Sequence, residues 1–155
     1  MTNNASVRLH EALMELGQVT ALFHPDQTIP GESVSMSQVF ALHELDVAAP
    51  MSQRDLAVRL CLEKSTVSRM VADLERKKLL VRERDPDNRR LYRLRLTTQG
   101  RTAHRRIARH FHQQYLRWEA AMTQAERDAL LIGLPALVRA IRGDLTPRES
   151  TARDS

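Results

Sequence analysis

Between Ser52 and Thr97 the apolar residues change their spacing from a helical period to strict alternation, and few folds accommodate that change over so short a distance. Ser52 is placed to cap a first helix, with Asp55 in the reciprocal position three residues on. Ala57, Val58 and Leu60 give that helix an apolar side, and Leu62 marks a turn. A second helix is predicted from Lys64 to Lys77, with Val67, Met70, Val71 and Leu74 on one face. The other face carries Lys64, Ser65, Thr66, Ser68 and Arg69. Small hydroxyl side chains let a backbone approach a DNA major groove, and an arginine can bond two acceptors of guanine. The bland alternative for Arg69 is a surface pair with Asp73, one turn on. Beyond this helix, Val81–Arg84 and Leu91–Leu96 read as strands, joined by the turn residues Asp85-Pro86-Asp87-Asn88. Arg89 and Arg90 follow the tip, where an arginine suits a narrow, electronegative minor groove. Arg54 and Arg84 join Lys64 as candidate phosphate contacts.

This stretch resembles the MarR family of winged helix-turn-helix regulators. The resemblance rests on Leu56-Ala57 in the first helix and Ser65-Thr66-Val67-Ser68-Arg69 in the second. Asp85-Pro86 with Arg89-Arg90 match the wing, and Leu96-Thr97 with Gly100 match the segment after it. Upstream, Ser37-Gln38 and Ala41-Leu42 look like the family's second helix, so the likeness covers roughly residues 6–143. Three positions depart from the pattern. Lys78 stands where a glycine usually ends the recognition helix, and a left-handed lysine there costs roughly 1 kcal/mol. Cys61 occupies a turn where glycine is common, although its neighbours favour packing it as a small apolar residue. Asn88 replaces the usual aspartate of the wing, leaving Asp87 to supply the aspartate–arginine brace.

The flanking segments hold more apolar helix than one small domain can bury. A helix is predicted from Ser6 to about Phe23, striped by Leu9, Leu13, Leu16 and Thr20, followed by a loop from His24 to Val34. Ser35 or Ser37 starts a second helix that buries Val39, Leu42 and Leu45 with Phe40 beside them. From Thr97 or Thr98 to Met122, Ile107, Phe111, Tyr115, Trp118 and Met122 form one stripe along a helix of roughly 36 Å. Thr123 and Glu126 form a capping box for a last helix, which Pro135 should kink or split and Gly143 should end. The expected fold is therefore mainly α: a winged helix-turn-helix lobe over residues 35–97 with a two-stranded wing. Long terminal helices, residues 6–34 and 98–143, would form an intertwined interface in a homodimer, with residues 1–5 and 146–155 as disordered tails. Two recognition helices would then face successive major grooves roughly 34 Å apart and read a near-palindrome in double-stranded DNA.

Charge distribution supports the same partner. The chain carries a net +5, yet residues 51–100 hold 13 Lys+Arg against 7 Asp+Glu, so the excess lies wholly in the predicted DNA-contacting half. No apolar run approaches the length that spans a membrane, and one cysteine excludes an intrachain disulfide and fits a reducing cytoplasm. A Gly-rich phosphate loop and a nucleophile elbow are both missing, so no enzyme is expected and no cofactor is implied. His104, His110 and His112 are separated by 6, 2 and 8 residues, which is not the three- or four-residue spacing of zinc ligands on a helix. Metal or redox sensing (through Cys61) and architectural DNA binding of low sequence preference remain the alternatives to a sequence-specific regulator, which in such families is usually a repressor. The resemblance further implies a small aromatic or anionic effector, for which His10, His43 and Arg109 are the polar candidates.

Overall fold

The computed structural model describes residues 4–20 and 31–145. Eight elements follow in order: α1 (Asn4–Val19), α2 (Met36–Ala48), α3 (Gln53–Leu60), α4 (Lys64–Arg76), β1 (Leu80–Arg84), β2 (Tyr92–Leu96), α5 (Thr98–Ala120) and α6 (Gln124–Leu145). The chain divides into two compact units at Arg105–Arg106, within α5. The predicted first helix stops at Val19, and the end of that prediction, from Ala21 to Phe23, lies outside the described residues, as do His24 to Pro30 of the loop. Met1–Asn3 and residues 146–155 of the expected tails also lie outside them, whereas Asn4 and Ala5 already belong to α1.

In the first unit, local signals in the sequence set the helix starts. Ser35 caps α2 by accepting from the Gln38 amide while Gln38 returns its side chain to the Ser35 amide. Ser52 and Asp55 make the same reciprocal pair at α3. Both helices of the α3–α4 pair end in Schellman motifs. Leu62 N donates to Ala57 O, and Leu79 N donates to Leu74 O, each across a left-handed residue. Those residues are Cys61 (φ 54°) and Lys78 (φ 60°), so both positions adopt the conformation that glycine tolerates best.

Leu42, Leu45, Leu56, Val67, Val71, Leu74, Leu80 and Leu94 form the fully enclosed centre of this unit. The hairpin is antiparallel, with Leu80 opposite Leu96 and Arg84 opposite Tyr92. Met51 adds an isolated bridge to Leu94, bonding it in both directions. Two apolar predictions fail here. Val58 is 71% exposed and Phe40 44% exposed, because α2 and α3 turn these faces away from the leucine core. The inward face of α3 is instead Leu56 and Ala57. Cys61 is likewise exposed rather than packed, since a left-handed turn residue projects off the end of its helix.

In the second unit the turn into α6 is closed by Arg127, which donates to the carbonyls of Glu119 and Met122. Thr123 and Glu126 form the predicted capping box. Pro135 does not split α6, which continues two residues past Gly143, where it was expected to end. The carbonyl that proline leaves without a donor belongs to Leu131, and Leu131 is exposed, so water can satisfy it. Gly143 has no positive φ and is simply a helical glycine. Phe111, Tyr115 and Trp118 line up along α5, with ring centroids 6.2 and 5.6 Å apart. No residue of α1 or α6 is buried. Val7, Leu9, Met14 and Leu16 on α1, and Leu130, Ile132, Leu134, Val138 and Ile141 on α6, are all exposed.

Candidate nucleic-acid interface

The α4 helix presents its two faces as the spacing predicts. Val67, Met70, Val71 and Leu74 are buried. Lys64, Ser65, Ser68 and Arg69 are exposed, and Thr66 is half-buried. Arg69 makes no pair with Asp73, because that carboxylate is occupied elsewhere. Asp73 Oδ2 accepts from Lys77 Nζ at 2.6 Å and from Gln38 Nε2 at 2.6 Å, while Arg76 holds Oδ1. Lys77 first, then Gln38 and Arg76, hold the Asp73 carboxyl well below the usual carboxylate range.

The wing is braced from inside. Asp85, only 5% exposed, accepts from the amides of Asp87 (2.8 Å) and Asn88 (3.1 Å) through one oxygen. Arg93 Nε donates to the other oxygen. The Arg93 guanidinium and these two amides hold the Asp85 carboxyl below its ordinary value. The brace thus belongs to Asp85, not to Asp87 as expected: the first residue of the turn points its side chain back over the turn's own amides. Arg84 lies over the Tyr92 ring at 5.0 Å and donates to the Arg89 carbonyl, so it stiffens the hairpin. Arg89 and Arg90 stay exposed at the tip.

Ion pairing sorts the 13 cations of residues 51–100. Arg59, Arg76, Lys77, Arg82, Arg93 and Arg95 each pair with an acid, and Arg84 is engaged within the wing. Among the described residues, Arg54, Lys64, Arg69, Lys78, Arg89 and Arg90 are left without a hydrogen-bonding or ion-pairing side-chain partner. Five of those six are positions singled out for nucleic acid from sequence; Lys78, noted there only as standing where a glycine is usual, is the addition.

The effector candidates are less well supported by geometry. His10 and His43 are exposed on α1 and α2 of the first unit, and Arg109 is exposed in the second. The His43 ring lies 5.5 Å from that of His104, which is buried. His104 Nδ1 is 3.3 Å from Asp46 Oδ2, but the alignment is poor and this nitrogen has no hydrogen-bond partner. A cavity of about 130 Å³ at the wing root, lined by Pro50, Arg84, Pro86, Arg93 and Arg95 among others, is below the roughly 300 Å³ that a small-molecule pocket needs.

Two helices joined across a left-handed turn, with a braced antiparallel hairpin beside the second, define a winged helix-turn-helix protein. Residues 34–92 match the model of the MarR family. A protein of Thauera aromatica, named for a transcriptional regulatory role at the hcr operon, is 36% identical over 89 residues. That match covers 57% of this chain and 54% of the relative, so it spans about half of the relative's length. The fold is similar to that of Streptococcus pneumoniae FabT solved in complex with DNA, with a TM-score of 0.76 at 22% identity over 89% of this chain and 98% of that one. It is also similar to the transcriptional repressor CouR bound to a 23-mer DNA duplex, with a TM-score of 0.66 at 26% identity over 84% and 89% of the two chains. No described helix is long and apolar enough to cross a membrane.

Proposed function

We propose that this chain is a sequence-specific DNA-binding transcriptional regulator, working as a repressor and as a homodimer. The observation that carries the reading is the set of exposed cations left without acids on α4 and the wing, in the part of the chain that holds all of its excess positive charge. Helix α4 lies in a major groove, with Arg69 bonding a guanine edge and Ser65, Thr66 and Ser68 divided between bases and phosphates. Lys64 and Arg54 contact phosphates. Arg89 or Arg90 reaches the minor groove, and the other meets the backbone. Arg84 shapes the wing and lies close enough to its tip to add a phosphate contact. That CouR was solved on a duplex supports this mode of binding.

The exposed apolar residues of α1 and α6 and the rings of α5 supply the surface for a second copy. A small aromatic or anionic effector, recognised by His10, His43 and Arg109, weakens DNA binding by preferring a dimer geometry in which the two recognition helices no longer match the grooves. The test is the affinity for duplexes selected from random sequence against scrambled duplexes at one salt concentration. A ratio of about 10³ or more is expected. A ratio near one makes the protein an architectural binder and overturns the regulator reading.

A further inference from the structure

We infer that Gln38, on α2 and outside the DNA-contacting surface, is a positioning residue for sequence discrimination: it fixes the roll of α4 and so the direction in which Arg69 points. The inference rests on the DNA-binding reading proposed above. The four apolar side chains that seat α4 are Val67, Met70, Val71 and Leu74. Contacts of that kind hold a helix against its neighbours but are not directional, so they leave rotation about the helix axis loosely defined. Direction comes from hydrogen bonds.

Gln38 supplies them. It is 7% exposed, and its amide is committed on both sides. Oε1 accepts from the Ser35 backbone amide at 3.1 Å and from Lys77 Nζ at 3.0 Å. Nε2 donates to Asp73 Oδ2 at 2.6 Å. The N-cap of α2 is therefore wired through one side chain to Asp73 in the last turn of α4 and to Lys77 just past its end. Asp73 follows Arg69 by four residues, which places the two about 40° apart around the helix. Holding Asp73 from the α2 side does two things at once. It sets the roll of the turn that carries Arg69, and it keeps the carboxylate from pairing with that guanidinium. The interior of the first unit otherwise contains few polar side chains, with Asp85 and His104 the other buried ones. The ion pair that also reaches α4 from a neighbouring element, Arg82 of β1 with Glu75 at 3.2 Å, is more exposed and so screened by solvent.

The test uses Gln38→Glu, which preserves shape, still accepts from Ser35 and Lys77, and replaces the donor facing Asp73 with an acceptor. Affinities for the selected and the scrambled duplex are measured by fluorescence anisotropy at one salt concentration for wild type, Q38E, R69A and Q38E/R69A. Q38E should weaken binding to the selected duplex about tenfold and leave the scrambled duplex unchanged. In the R69A background Q38E should cost nothing further in discrimination. Gln38→Met, which removes the amide and keeps the length, should behave alike and replaces Q38E if circular dichroism shows that variant unfolded. An unchanged ratio, equal weakening on both duplexes, or a loss that adds to that of R69A overturns the inference and leaves Gln38 a merely structural residue. A wild-type protein with no sequence preference overturns the regulator reading and this inference together, whereas a preference that Q38E leaves intact overturns this inference alone.

Discussion

Gly100 has no room for a side chain. A Cβ built there would sit 1.9 Å from the carbonyl oxygen of Leu79. That carbonyl accepts from Thr97 N at 3.1 Å, and Thr97 Oγ1 accepts from Gly100 N, so the strand-to-helix turn presses directly on Leu79, three residues past the end of α4. Gly100→Ala should lose about 1–3 kcal/mol of stability in urea unfolding, because the clash is with backbone and cannot be relieved by a rotamer change. Lys78 sits at a conformation that costs an L-residue roughly 1 kcal/mol, and its side chain is exposed, so Lys78→Gly should gain a fraction of that in the same assay. For Arg69, exposed and without an acid, the alanine variant should keep the wild-type midpoint of unfolding. It should lose about 1–3 kcal/mol of binding to its selected duplex, with relaxed sequence preference, in an anisotropy titration. Equal affinities of wild type and R69A for that duplex would remove Arg69 from the base contacts.

The wing makes the pH dependence of stability a property of an element. Arg93 and two turn amides lower the Asp85 carboxyl, and Lys77, Gln38 and Arg76 lower that of Asp73. Both groups therefore bind protons more weakly folded than unfolded. Below an unfolded value of about 4 the unfolded chain takes up more protons, so stability falls with falling pH and the contribution is present above that value. Tm measured from pH 7 downward should drop below about pH 4. Asp85→Asn should be less stable than wild type at neutral pH and converge on it in acid; parallel curves would mean the brace contributes nothing.

Elements were legible in the chain where their determinants are local. Ser35-x-x-Gln38, Ser52-x-x-Asp55 and Thr123-x-x-Glu126 each announce a helix start within four residues, and the alternation around Asp85-Pro86 announces the hairpin. Choices between near neighbours were not legible. Asp85 and Asp87 both sit in the turn, and only the turn geometry decides which reaches Arg93. Phe40 and Val58 are as apolar as their buried neighbours, and the third dimension alone turns them outward. The Gln38–Asp73 bond spans 35 residues and could not be read from any local pattern. Of the candidate site, the exposed cations could be picked out by residue type, whereas the Gln38–Asp73 bond beside them could not.

At the scale of the molecule, many large apolar residues are exposed on α1 in the first unit and on α6 in the second, and covering them with a second copy would stabilise the chain. Sedimentation equilibrium at micromolar concentration should therefore return a mass near twice 17.7 kDa. Leu134→Glu together with Ile141→Glu, both on α6, should shift that mass toward a single chain without changing the winged lobe. In the proposed homodimer, pairing two lobes would let the basic surface read two half-sites. The most direct measurement is a hydroxyl-radical footprint on a selected duplex, with the number of bound chains counted by native mass spectrometry. We expect two protected half-sites about one helical turn apart (about 10 base pairs), bound by two chains. A single protected half-site holding one chain, or uniform protection without sequence register, would contradict the account.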